Sequence, residues 1–275
     1  MNTRNQIKQA TSAKIAIAMI VASVTISLLL FTLCNKGDDV ENSKVRFYLT
    51  DAPSMEGYKQ VNIDLLSVSY SLDGQKWQEL SITPGIYDLM MLTRGQSSLL
   101  STIELDKGEY IKQVRLKLGD RNSVMLADSS VHELFIPGGE SSGYKINIRD
   151  SVVTHSTYSI MIDFDAERSV VRRGNSDNFL LKPVVRGYIS QNTSYVEGKI
   201  IPDSIPYHVC ALFNNDTICC ISDTSCSNRF FIQGLHSGDW RLQFKDTSDI
   251  LLKTISVSVV GGINKNLGNI DLRPQ

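Results

Sequence analysis

The chain of 275 residues carries 28 Lys and Arg against 29 Asp and Glu, a formal net charge of −1. With 42% hydrophobic and 21% charged residues it can bury a core, which excludes global disorder and collagen-like structure. The near-neutral balance lacks the basic surface that phosphate neutralisation needs, so no nucleic-acid partner is expected, and the length leaves room for about two domains.

The first element is an export segment. Residues 1–14 hold Arg4, Lys8 and Lys14 and no acid, and residues 15–33 are nineteen consecutive residues without a charge. Cys34 ends the apolar run and is followed by Asn35, Lys36, Gly37, Asp38, Asp39, Val40 and Glu41. Leu30-Phe31-Thr32-Leu33-Cys34 resembles a bacterial lipobox, and Lys36-Gly37-Asp38-Asp39 is similar to the acidic export signal of Bacteroidetes surface lipoproteins. The resemblance implies a signal peptide over 1–33, a lipidated Cys34 opening an acidic tether over 34–43, and an outer-membrane lipoprotein facing the cell surface. Loss of the three N-terminal cations would leave 25 Lys and Arg against 29 acids, a mildly acidic mature chain. The alternative is an uncleaved transmembrane anchor, since nineteen residues as a helix reach across a bilayer.

Beyond Lys44 the hydrophobic period is two. Val45, Phe47 and Leu49 share one face of a strand, and Val114-Arg115-Leu116-Lys117-Leu118 alternates strictly with charge. Asp73-Gly74 predicts a tight turn between strands near 68–70 and 76–80. The best helical candidate, residues 97–105, offers two turns, too little for a doubly wound nucleotide-binding fold. A polar break over 187–194 predicts a boundary between a domain at 44–190 and another at 195–275, with proteolysis expected near 191–194. The second region predicts seven short strands, at 196–201, 207–213, 217–222, 230–233, 239–244, 254–259 and 267–272, enough for a small β-sandwich. The fold class expected is all-β, with two sandwich-like domains after the N-terminal segment.

Six segments carry a family resemblance: Leu49-Thr50-Asp51-Ala52-Pro53, Pro84-Gly85-Ile86-Tyr87-Asp88-Leu89, Gly108-Glu109-Tyr110, Arg115-Leu116-Lys117-Leu118-Gly119, Asp163-Phe164-Asp165-Ala166 and Leu181-Lys182-Pro183-Val184-Val185-Arg186. In order and spacing they resemble the domain-of-unknown-function 4382 family of bacterial lipoproteins, over about residues 44–188. Gly198-Lys199-Ile200, Phe231-Ile232-Gln233-Gly234-Leu235 with Gly238-Asp239-Trp240, and Val257 to Gly262 followed by Leu267-Gly268 are similar, over residues 196–272, to the carboxypeptidase-regulatory, transthyretin-like sandwich.

Several constellations bear on chemistry. Gly139-Glu140-Ser141-Ser142-Gly143 satisfies the G-x-S-x-G hydrolase pattern, but it lies between Ile136-Pro137-Gly138 and an alternating strand, so a loop is expected in place of a nucleophile elbow. His132, His155, His208 and His236 have no metal-ligand or triad spacing and are read as surface or turn residues. Period two places Asp163 and Asp165 opposite the core-facing Ile160, Ile162 and Phe164. The favoured reading makes Asp165 the cap of a turn at 166–168 and Asp163 a solvated residue; the minority reading is a calcium site completed by Asp51 or Asp64.

Cys210, Cys219, Cys220 and Cys226 allow three disulfide pairings. A turn at Asn215-Asp216 would make Cys210 and Cys219 diagonal neighbours, with Cys220 on the other face nearer Cys226. Structural roles are expected for these cysteines, because no histidine is placed to activate a thiolate. Asp150-Ser151-Val152, Asp203-Ser204-Ile205 and Asp216-Thr217-Ile218 resemble the short acidic O-glycosylation motif of Bacteroidetes exported proteins.

The function expected is a non-catalytic envelope lipoprotein, without a cofactor, that binds a glycan or protein ligand as an adhesion or accessory module. The alternatives are a hydrolase or metal-dependent enzyme using Asp51, Asp64, Asp163 and Asp165 or Ser141, and a fimbria-like subunit joined by strand donation.

Overall fold

The computed structural model describes residues 42–273 apart from 52–57, 107, 139–141, 151–156 and 175–176. Cys34, Ser141 and His155, and with them the lipidation site and the G-x-S-x-G serine, lie outside the described residues, and no described helix is long and apolar enough to cross a membrane.

The chain is all-β. In the first half the strands are β1 (Ser43–Asp51), β2 (Tyr58–Ser71), β3 (Gln78–Glu79), β4 (Gly85–Asp88), β5 (Ser98–Leu105), β6 (Gln113–Leu118), β7 (Ser123–Leu126), β8 (Val131–Phe135), β9 (Tyr144–Asn147), β10 (Tyr158–Phe164), β11 (Val170–Arg172), β12 (Phe179–Leu181) and β13 (Val185–Ile189). A one-turn helix, α1 (Ala166–Ser169), joins β10 to β11. The second half holds β14 (Thr193–Ile201), β15 (His208–Phe213), β16 (Asp216–Ile221), β17 (Arg229–His236), β18 (Gly238–Lys245), β19 (Leu251–Val259) and β20 (Lys265–Asp271), the seven strands that the spacing predicts.

Strands β13-β10-β1-β5 form one sheet, in which β1 and β10 run parallel, and a larger sheet runs β11-β12-β8-β7-β2-β6-β9 with β3 and β4 attached to β2. Period two sends Val45, Phe47, Leu49, Ile160, Ile162 and Phe164 from the first sheet into one apolar cluster with Val61, Ile63, Val114 and Leu116 from the second. Each of these is fully buried, a burial that contributes about 1.5–3 kcal/mol per large side chain. Of residues 97–105, the helical candidate of the sequence, all but the first form strand β5, paired antiparallel with β1. Tertiary pairing overrides the weak local propensity there.

A separate apolar cluster runs from Val196 to Ile270, between a three-stranded sheet (β17-β14-β20) and a four-stranded one (β16-β15-β18-β19). Trp240 and Phe213 pack at 5.2 Å, and Phe230 meets Phe244 edge-on at 5.6 Å.

The polar break over 187–194 is structured. A 3₁₀ turn over Ser190–Asn192 leads directly into β14, and Thr193 and Ser194 are buried. The Ser194 hydroxyl donates to the Val260 carbonyl at 2.7 Å and accepts from Ile263 N, while Gly262 N donates to the Thr193 carbonyl. A polar sequence marks this joint because its side chains satisfy backbone groups of the β19–β20 turn. Limited proteolysis under native conditions is therefore expected to leave bonds 191–194 intact, and rapid cutting there would contradict this packing.

Candidate functional site

A cleft of about 580 Å³ lies where the two halves meet. Its walls include Lys145 and Arg149, Asp163 on β10, Arg186 on β13, Asp216 at the tip of the β15–β16 hairpin, and His236 at the end of β17. Alternation turns Asp163 away from the first core, as the sequence predicts, but that face of β10 is covered by the second half of the chain. Asp163 is 1% exposed, which corrects the expectation of a solvated residue.

Burying that carboxylate is tolerable because Arg186 meets it directly. Arg186 and Asp163 are cross-strand partners in register, and the guanidinium reaches Asp163 Oδ2 through Nε at 2.8 Å. The same guanidinium donates to two backbone carbonyls of β17, Gln233 at 2.8 Å and Gly234 at 3.2 Å, and packs over the ring of the buried Tyr188. Burial pushes the Tyr188 phenol well above its ordinary pKa. One arginine thus ties the first sandwich to the second. Gln233 extends the tie by donating to the Thr50 hydroxyl at 3.1 Å.

A second clamp crosses the same joint. The Asp150 carboxylate accepts from Ile189 N through one oxygen and meets His236 Nε2 through the other. His236 is therefore not a plain surface histidine: its Asp150 partner has a side chain only 4% exposed. The hydrogen bond to Asp150 raises the His236 pKa above 6.5 and outweighs the opposing effects of burial and the Arg186 charge, with Asp216 adding a smaller raising effect. A raised histidine contributes stability that is fully present below its unfolded value and is lost as pH rises through the folded value. Urea midpoints are expected to fall between about pH 6 and pH 9, and less so in His236→Gln. An identical slope in the variant would remove His236 as the cause.

The remaining predicted residues disperse. Asp165 caps α1 as expected, its Oδ1 accepting from Arg168 N at 2.9 Å, and burial raises its pKa. Asp51, fully buried, accepts from Ala166 N at 2.9 Å, so it joins Asp165 at the start of α1. Asp64 is paired with Arg121 at 2.8 Å, a contact that lowers its pKa, and neither Asp51 nor Asp64 lines the cleft. Among the described residues no three acidic, histidine or cysteine side chains converge as a metal-ligating group. No serine, threonine or cysteine side chain among them is hydrogen-bonded to the His236 ring.

The β15–β16 hairpin turns at Asn214 and Asn215, with Phe213 opposite Asp216, two positions out of the predicted register sum. Asn214 takes a positive φ of 52°, which asparagine tolerates. The shift places Cys210 directly opposite Cys219, and the two form a disulfide. Cys220 points the other way into the second core, where burial pushes its thiol up to about 12, and Cys226 is exposed with its sulfur 3.6 Å from Arg94 Nη1. Arg186, Asp150 and His236 escaped the sequence reading as a group. Alternation could mark Arg186 as facing away from the core, but nothing in one chain pairs Asp150 with a histidine 86 positions on.

Three solved structures share low similarity with this chain. The Bacillus anthracis TIE protein matches at 8% identity and a TM-score of 0.24, over 84% of this chain and 34% of its own, so the chain spans about a third of that protein. BcpA, the major pilin subunit of Bacillus cereus, matches at 11% identity and 0.22, over 84% and 70% of the two chains. A fimbrial protein from Bacteroides ovatus matches at 9% and 0.19, over 85% and 51%. No curated protein matches the chain. Residues 42–183, just over half of the chain and the part that builds most of the first sandwich, match the model of a family described as Domain of unknown function (DUF4382), and the chain belongs to that family.

Proposed function

We propose that the protein is a non-catalytic lipoprotein of the cell envelope, held in the outer membrane through Cys34 and exposed at the surface, where it binds a glycan or protein ligand. The observation that supports this reading is the joint. Its two buried carboxylates are engaged in holding two sandwiches together, Asp163 with an Arg186 that also takes two β17 carbonyls, and Asp150 with His236. Such a pair of clamps suits a rigid module that presents loops and sheet faces to a partner. In this reading residues 195–275 are a carboxypeptidase-regulatory, transthyretin-like unit, and no cofactor takes part. Membrane fractionation with protease shaving of intact cells tests it. Wild type is expected in the outer-membrane fraction and accessible to external protease, and C34A is expected to leave that fraction or to accumulate as precursor. A C34A variant that stays membrane-bound at the same size as wild type would favour the uncleaved anchor.

A second reading, a fimbria-like subunit, is favoured by one observation. Strand β19 is at the edge of its sheet and opens on Leu251 and Leu252, 50% and 43% exposed, directly after Ile250 at 60%. An apolar edge strand is a template for strand addition. Ladders in unheated gels that collapse on heating would support it, and monomer alone would argue against it.

A further inference from the structure

The outer face of β6 and β9 carries an arrangement that the fold alone does not need. Alternation turns Gln113, Arg115 and Lys117 outward on β6, while Val114, Leu116 and Leu118 are buried. On β9 and its continuation Lys145, Asn147 and Arg149 are outward, with Ile146 and Ile148 buried. The two outer rows thus present four cations and no carboxylate of their own, although Lys145 and Arg149 also border the cleft that Asp150, Asp163, Asp165 and Asp216 help to line. None of the four forms an ion pair among the described residues.

The register makes this costly. Arg115 and Lys145 are direct partners across the β6–β9 ladder, and like charges placed opposite each other destabilise a sheet. The nearest acid in the row is Glu79, beyond Ser69 and two strands from Arg115, about 10 Å away at ordinary strand spacing. Trp77 holds both cations, with the Arg115 guanidinium 4.3 Å and the Lys145 ammonium 5.8 Å from its ring centroid. Arg115 Nε is further fixed by the Ser69 hydroxyl at 3.2 Å, while its two Nη groups have no hydrogen-bond partner among the described residues. A guanidinium anchored at Nε and stacked on an indole, with its terminal nitrogens unengaged, is preorganised to take a carboxylate or sulfate.

We propose that this face is a docking surface for an acidic polysaccharide, its uronate or sulfate groups lying along Arg115, Lys117, Lys145 and Arg149. Charge complementarity carries the choice: a basic strip on a chain of net charge −1 concentrates a polyanion locally. Cations repeated along two strands suit a ligand with repeated anionic groups, and Trp77 serves to hold two of those cations in place. The proposal deepens the binding-module reading by naming the ligand class, and it depends on that reading only for the compartment.

The full chain, purified in non-ionic detergent, is tested for binding to heparin and to polygalacturonate, with dextran as the neutral control. Binding to at least one polyanion at about 50 mM NaCl, weakening steeply towards about 300 mM, is expected, with none to dextran. Arg115→Gln with Lys145→Gln should weaken binding by about tenfold or more while leaving the melting temperature within about 3 °C, because the relieved like-charge repulsion offsets the lost contacts to Trp77 and Ser69. That combination separates a ligand role from a structural one. The proposal is overturned by absence of binding to both polyanions, by unchanged binding in the double variant, or by capture on anionic phosphatidylglycerol vesicles without polysaccharide binding. Because the assay uses purified protein, its failure is distinct from a failure of the localisation experiment.

Discussion

Replacing Arg186 with alanine is expected to destabilise the protein by about 3–5 kcal/mol, the cost typical of breaking a buried ion pair from one side. Asp163, 1% exposed in the intact protein, would be left with its charge uncompensated, and the carbonyls of Gln233 and Gly234 would each lose a donor. Water can repay part of this, since the Arg186 side chain is itself 32% exposed, so the lower half of the range is the better expectation. Urea unfolding with matched slopes measures it. Asp163→Leu with Arg186→Met should recover part of the loss, since apolar residues of similar volume avoid the stranded charge, although the two β17 carbonyls stay without their partner. A loss below about 1 kcal/mol in Arg186→Ala would mean that the clamp is solvated in practice and contributes like a surface pair.

The second-half strands were legible in number and order, with ends off by up to three residues, because Gly, Pro, Asn and Asp mark the turns between them and two-residue periodicity reports on a half-buried strand such as β18. The same rule failed at Asp163. Alternation states which residues leave the first core, but it equates the other face of the strand with solvent, and here that face meets a second sandwich. Residues 97–105 failed for a related reason, since β5 is held by pairing with β1, a partner some 55 positions away, rather than by local pattern. The hairpin register was missed by one turn position because Asn214, Asn215 and Asp216 all tolerate turn geometry, so composition alone does not choose among them. The joint needs both halves folded and docked, and the basic face of β6 and β9 needs the register that sets Arg115 against Lys145. Neither is a property of any single segment.

Gly234→Ala is expected to cost about 2–5 kcal/mol, from two separable causes acting at the joint. The first is backbone: Gly234 has φ +71°, a region that costs a residue with a Cβ about 1–2 kcal/mol. The second is contact. A Cβ there would lie 2.7 Å and 2.8 Å from the ring of Tyr188 and 2.9 Å from Arg186 Nη1, so either the ring or the guanidinium must move. Tyr188 is buried and Arg186 is held by Asp163, so neither yields freely, and overpacking of this kind typically adds about 1–3 kcal/mol. Gly268 supplies the control, since its φ is +66° but no atom lies within 4 Å of an added Cβ. Gly268→Ala should therefore show the backbone cost alone, and the difference between the two variants isolates the contact. That difference should shrink when Arg186→Ala is already present, because one of the two obstructing groups is gone. Equal destabilisation by Gly234→Ala and Gly268→Ala would show that the joint has room to spare, and the tight seating of Arg186 between the two sandwiches would have to be abandoned.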